Sequence, residues 1–314
     1  MTFGILTFHS QLNYGGVLQA LALQHALEEF GATSVIDRWL SPDNRELTCG
    51  YPRFGQRGWM RFSLRALLGL GELGRWLRSW RTRRFIRRHF RLTPYNFCRW
   101  EELPAEKRRL LPQCLVVGSD QVWSCASWAD PRPYLLEGIE TKCALAYAAS
   151  FGTTKIPLQF RDLYFNGLRR FNALSCREKQ GCEICRSLGL TAEHVVDPTL
   201  LVDPDFWVRL IPQKQKACSK TRRIFCYLLG ENLDRVMPVL EKIARERKCV
   251  IELFSDAPPQ SWWIPLSLRP ANILKWTRNF LRHWFSRVHL RVSAGPLEFL
   301  AMLSKADGVV SIKR

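Results

Sequence analysis

The chain has 314 residues, 46% of them apolar and 24% charged, which is enough for two cored domains and excludes a disordered polypeptide. No basic leader precedes an apolar run at Met1–Leu6 and no run of about 18 apolar residues occurs, so neither a signal peptide nor a spanning helix is expected. The expected location is the cytoplasm. The net charge of +19 points to an anionic partner.

Phe3–Phe8 reads as a strand, Asn13-Tyr14-Gly15-Gly16 as a turn, and Val17–Phe30 as a helix ending at Gly31. Val35-Ile36-Asp37 starts the next strand, completing the opening βαβ unit of a Rossmann-like domain. A basic insertion is expected over about residues 42–109. Between Arg61 and Arg91 it holds ten arginines and one acid, Glu72, with Trp59, Trp76 and Trp80 in or beside them. Leu70, Leu73, Leu77 and Trp80 form a helical apolar stripe, and Arg75 and Arg78 fall off it. A core-facing amphipathic helix, peripheral contact with anionic lipid and nucleic-acid binding all fit this composition, nucleic acid least well.

The sheet resumes at Cys114–Val117, followed at its carboxyl end by Gly118-Ser119-Asp120-Gln121-Val122-Trp123. Asp120 and Gln121 suit sugar hydroxyls, and Trp123 either stacks on a ligand or packs. Cys143–Ser150, Ala173–Cys176 and His194–Asp197 read as strands, with helices over Phe160–Phe171 and Glu178–Leu188. Arg177-Glu178 opens the second of these helices, where a guanidinium can hold a carboxylate or phosphate in two parallel bonds. A linker is expected over 212–221. A second unit then starts at Arg223–Leu229, with a helix over Leu233–Lys248 and a strand at Val250–Phe254. The stretch Ala257–Leu297 carries no acid, and a helix and strand close the chain near Leu297–Ser311.

The expected organisation is an α/β protein with a first Rossmann-like lobe over 1–211 and a second over 222–314. The eleven cysteines read as reduced, buried thiols. Cys182 and Cys185, with Cys176 upstream, lack the second pair or histidine that zinc requires, so no metal is expected. Asn13–Gly16 is not a dinucleotide fingerprint, and no cofactor is expected. His9 ends its strand and is a candidate cleft residue.

Several of these runs together resemble the polysaccharide pyruvyl transferase family. They are Leu6–His9 with Asn13–Ala20, Val117–Trp123, Ala146–Gly152, Ser175–Glu178, Val196–Leu201 and Gly295–Leu300. The resemblance implies a two-lobed fold like the GT-B glycosyltransferases. It also implies transfer of pyruvate from phosphoenolpyruvate to two hydroxyls of a sugar or lipid-linked oligosaccharide, forming a ketal. Arg177 is then the donor-binding residue, and His9, Asn13, Tyr14, Gly15, Gly16, Asp120 and Gln121 line the acceptor side. Family members follow the last strand with a Ser-x-His-Gly or Ser-x-Arg-x-His-Gly turn, whereas here Ser311-Ile312-Lys313-Arg314 stands. No catalytic residue is therefore identified, and a second lobe that is incomplete and a weak or inactive catalyst are the expectation. His283 and His289 have no motif around them and are poor substitutes. A nucleotide-sugar glycosyltransferase and a non-enzymatic basic binding protein are the alternatives.

Overall fold

The computed structural model describes residues 1–10, 12–38, 70–125, 130–213, 221–229, 233–255 and 286–312. Trp59, Arg61, Arg65, the acid-free stretch from Ala257 to Phe285 (with His283), the linker core at 214–220 and Lys313-Arg314 lie outside them. The chain divides into two units, residues 1–49 with 86–203, and residues 50–85 with 204–314.

Among the described residues, the first unit has a seven-stranded parallel sheet. Its strands are β1 (Thr2–Leu6), β2 (Ala32–Arg38), β3 (Leu92–Phe97), β4 (Cys114–Val117), β5 (Cys143–Ala149), β6 (Ala173–Cys176) and β7 (Glu193–His194), in the order β3-β2-β1-β4-β5-β6-β7. The order runs outward one way from β1 and the other way from β4, so the topological switch lies between those two strands. Strand β4 is buried at every position, as a central parallel strand must be. Helix α1 (Tyr14–Glu28) follows β1 and buries Val17, Leu18 and the run Ala20–Leu23.

Aromatic residues fill the space beside β4 and β5. Trp100 and Trp123 are fully buried; Trp100 Nε1 donates to the Pro133 carbonyl (2.9 Å) and Trp123 Nε1 to that of Tyr134 (3.3 Å). The Tyr164 hydroxyl donates to the Trp123 carbonyl at 2.6 Å. Trp123 also packs against Phe151 and Phe171, so it is a core residue and not a stacking platform.

The second unit has a parallel sheet in the order β10-β9-β8-β11, from β8 (Arg223–Leu228), β9 (Val250–Ser255), β10 (Val288–Leu290) and β11 (Gly308–Ile312). Alternation along the strands gives this sheet two faces. Cys226, Leu228, Ile251 and Leu253 pack with Leu233, Met237, Leu240 and Ala244 of the helix Leu233–Glu246. Phe225 and Phe254 pack against Phe299 of the helix Pro296–Leu303.

Three expectations need correction. Strand β3 lies inside the span assigned to a basic insertion and is a sheet member, paired with β2. The strand expected at His194–Asp197 is confined to Glu193–His194, because Asp197 instead caps a 3-10 turn at Pro198–Leu200. The helix α2 (Leu70–His89) turns residues other than the expected stripe inward: Leu77 is half-buried, and the side chains of Leu70 and Leu73 lie outside those described. Its buried side is Gly74, Arg78, Ser79, Thr82, Phe85 and Ile86, while Trp80 is 43% exposed. Arg78 turns inward because a guanidinium nitrogen donates to the Ser255 carbonyl at 2.7 Å. Arg81 likewise reaches the Ser293 carbonyl at 2.8 Å.

Glu252 in β9 is 1% exposed, and it survives burial because Arg291 Nε (2.6 Å), Arg223 and His289 (3.7 Å) surround it. Burial alone would raise its pKa, but hydrogen bonds and charge from His289 and Arg291 prevail and pull it from 4.5 to about 2. A carboxylate held below its unfolded value stabilises the fold above that value, and the stabilisation drains away as pH falls from 4.5 towards about 2. Urea unfolding of wild type and Glu252→Gln across that window should therefore converge. The wild type loses about 3 kcal/mol more than the variant. Parallel pH profiles would remove Glu252 as the acid-sensitive group.

Candidate functional site

The site is built at the carboxyl edge of the seven-stranded sheet, where the segments after β1, β4 and β6 come together. Parallel pairing of β1 with β4, Leu6 opposite Val117, sets the first two side by side at the topological switch. Gln19 in α1 ties them. Its Nε2 donates to Thr7 Oγ1 (3.0 Å) and the Gly16 carbonyl (2.8 Å), and its Oε1 accepts from the Ser119 amide (3.1 Å). Thr7 Oγ1 in turn donates to the Ser119 carbonyl at 3.0 Å. All of these groups are buried, so the clamp is dry and its bonds are costly to lose.

Two glycines make the approach feasible. A Cβ on Gly118, where φ is +115°, would lie 2.3 Å from the Tyr147 carbonyl oxygen. A Cβ on Gly16 would lie 3.0 Å from Asp120 Oδ2, so the Asp120 carboxylate rests against the turn that opens α1. Asn13 caps that helix, its Oδ1 accepting from the Gly16 amide at 3.3 Å. Asp120 itself has φ +74°, an unfavourable conformation for a residue with a Cβ. It is held by its carbonyl accepting from the Ser150 amide at 2.9 Å.

Arg177 arrives from the end of β6. Strand β5 bulges between Ala146 and Ala149, and Ser175 Oγ bridges the gap by donating to the Ala146 carbonyl (2.8 Å) and accepting from the Ala148 amide (3.1 Å). This repaired ladder fixes where the chain leaves the sheet. Arg177 Nε then donates to Glu178 Oε1 (3.1 Å), and Nη1 donates to Asp197 Oδ2 (3.1 Å) and more weakly to Ser119 Oγ (3.4 Å). Asp197 Oδ1 accepts from the Thr199 amide and hydroxyl at 3.0 and 2.8 Å, which locks the carboxylate. Nη2 of Arg177 has no hydrogen bond among the described residues, and the side chain keeps 18% of its surface exposed. Burial disfavours the charge on Arg177, yet Glu178, Asp120 and Asp197 together outweigh it and hold the pKa above its ordinary value. The guanidinium is a permanent cation with one nitrogen to spare, fit to receive an oxyanion.

Of the residues singled out from sequence, Asn13, Gly16 and Asp120 come together at the β1/β4 edge, and Arg177 joins them through Ser119. Gln121 packs near Gly152, whose Cβ would lie 2.9 Å from its amide carbon. Gly15 is exposed. His9 and Tyr14 are 1% and 2% exposed, and His9 Nε2 pairs with Asp37 Oδ1 at 3.2 Å, so neither presents a polar group to solvent. Ser119, Asp197, Gln19 and Thr7 are the additional site residues. Ser119 and Asp197 stand within motif runs, but their pairing across 78 residues has no sequence signal. Cys176 and Cys185 approach to 4.0 Å as thiols behind Arg177, and no cluster of metal-ligating side chains occurs among the described residues.

Two Rossmann-type α/β units, one with an arginine held among carboxylates at its carboxyl edge, define the class. Residues 13–313 match the polysaccharide pyruvyl transferase family, and the chain belongs to it. A search of curated proteins finds no match. Among solved structures, UDP-N-acetylglucosamine 2-epimerase from Rickettsia bellii is similar at 8% identity and TM-score 0.47, over 99% of this chain and 73% of that one. UDP-GlcNAc 2-epimerase from Neisseria meningitidis is similar at 9% and 0.42, over 99% and 76%. The Streptomyces sp. SF2575 glycosyltransferase SsfS6 is similar at 14% and 0.36, over 99% and 76%.

If Gln19 is the clamp between the two edge segments, Gln19→Ala strands the buried Ser119 amide and removes the donor to the Thr7 hydroxyl and the Gly16 carbonyl. The expected cost is about 2–3 kcal/mol in denaturant unfolding. A loss below about 0.5 kcal/mol, the range of an ordinary surface change, would show that the segments are held by something else.

Proposed function

We propose that the protein transfers pyruvate from phosphoenolpyruvate to a pair of hydroxyls on a sugar, forming a cyclic ketal, in assembly of a cell-surface polysaccharide. The single observation carrying this reading is Arg177, a half-buried cation with a spare nitrogen at the carboxyl edge, in a chain of this family. The donor is a compact dianion or trianion, and a guanidinium holds its carboxylate or phosphate in a fixed orientation. Protonation of the methylene carbon of the enol phosphate yields an oxocarbenium-like carbon that the first hydroxyl attacks with loss of its proton. Departure of phosphate then regenerates such a centre, and the second hydroxyl attacks it, again losing its proton, to close the ketal. Asp120, Gln121 and the Asn13–Gly16 turn are the groups assigned to the acceptor, a free sugar or a lipid-linked oligosaccharide. The reaction runs in the cytoplasm, with peripheral contact at an anionic membrane face. No helix among the described residues is long and apolar enough to cross a membrane.

Two measurements on the full chain test the reading. Phosphoenolpyruvate should bind in titration calorimetry in preference to a panel of nucleotide sugars, and phosphate should be released when acceptor is present. Arg177→Ala should weaken these by about 10²-fold or more, with Arg177→Lys intermediate. Phosphate release unchanged by Arg177→Ala, or preferential binding of a nucleotide sugar, would overturn it.

A further inference from the structure

The outward side of α2 is not explained by the fold or by the transfer reaction. Opposite its buried side run Trp76, Leu77, Trp80, Arg84, Arg87 and Arg88, spaced so that they share one face. Trp80 is 43% exposed, and Arg84, Arg87 and Arg88 are exposed. Trp76 and Leu77 are half-buried. The face is therefore apolar and aromatic in its first half and cationic in its second. Arg84 lies over the Trp80 ring at 5.5 Å, joining the two halves.

Among the described residues nothing neutralises this charge. Arg84, Arg87 and Arg88 make no ion pair among the described residues, and Glu28 pairs with Arg91 at 3.4 Å. The crowding is felt nearby: His89 has its pKa lowered, by burial first and then by the charge of Arg88. An exposed cationic patch beside exposed tryptophan is costly to maintain without a counter-surface.

We propose that this face of α2 docks on the surface of a bilayer containing anionic lipid, the arginines at the headgroup phosphates and Trp80 with Leu77 at the acyl boundary. The favoured partner is lipid because the two halves match a bilayer's two chemistries: phosphate outside, hydrocarbon beneath. A nucleic-acid duplex offers the phosphates but no apolar layer for Trp76, Leu77 and Trp80. The inference deepens the reading of peripheral membrane contact and does not depend on the donor. Loss of vesicle binding leaves pyruvyl transfer standing, and failure of transfer leaves vesicle binding standing.

The test is flotation of the full chain with vesicles of phosphatidylcholine alone, or of phosphatidylcholine and phosphatidylglycerol in equal parts. Binding is expected only to the anionic vesicles at low salt, and should be released by high salt. Each arginine neutralised should lower partitioning about five-fold, so Arg84→Glu, Arg87→Glu and Arg88→Glu combined should abolish it. Trp80→Ala should weaken it several-fold. Arg75→Glu, exposed on another side of the helix, should leave it unchanged. Thermal melts confirm that the exposed substitutions leave the fold intact. Absence of flotation with anionic vesicles, or flotation unaffected by the triple charge reversal in a folded variant, overturns the proposal. So does duplex DNA binding that the same reversals abolish while vesicles go unbound.

Discussion

A guanidinium with 18% of its surface exposed sits among three carboxylates, and the arrangement of the first unit's edge follows from keeping it there. Removing a cation from water is expensive, so a partly buried arginine persists only where its partners arrive at hydrogen-bonding distance. Glu178 comes from the neighbouring residue, whereas Asp197 comes from beyond β7 and is fixed by Thr199. Ser119 closes the group from the β4 side at 3.4 Å. A side chain held from three directions has little rotamer freedom left to lose when a ligand binds, and such preorganisation favours recognition.

The same economy explains the β1/β4 switch. Parallel strands end on the same side, and where the order reverses the following segments diverge and leave a crevice. Here Gln19 keeps that crevice from collapsing or splaying, because one amide side chain serves both walls. Gly16 and Gly118 are the positions at which a side chain would fill the space now occupied by Asp120 and by the Tyr147 carbonyl. In the second unit the strand order is again outward from a switch, between β8 and β11. Its buried charge, Glu252, answers to Arg223, Arg291 and His289 and serves stability.

The central strands were legible because β1, β4, β8 and β9 are short apolar runs bounded by turn residues, the pattern of strands covered on both faces. Strand β3 was hidden by its setting. Leu92–Phe97 alternates buried and exposed and contains Pro94, which suits an edge strand but is easily lost beside an arginine-rich helix. The spacing left the inward side of α2 undecided because apolar periodicity cannot see a distant carbonyl: Arg78 is buried on account of Ser255, 177 residues away. The site shows the same division. Asn13, Gly16, Asp120 and Arg177 stand just after strands, where position alone makes them candidates. Gln19 inside a helix and Asp197 before a proline acquire their roles only through partners far along the chain.

Family membership and an oriented cation at a strand edge together give the account its central claim, that the donor sits against Arg177 beside the segments after β4 and β6. Hydrogen–deuterium exchange of the full chain, with and without phosphoenolpyruvate, tests it most directly. Protection is expected in residues 117–123, 176–180 and 196–200, with other segments little changed. Protection confined to segments remote from these three, at ligand concentrations that saturate binding, would contradict it.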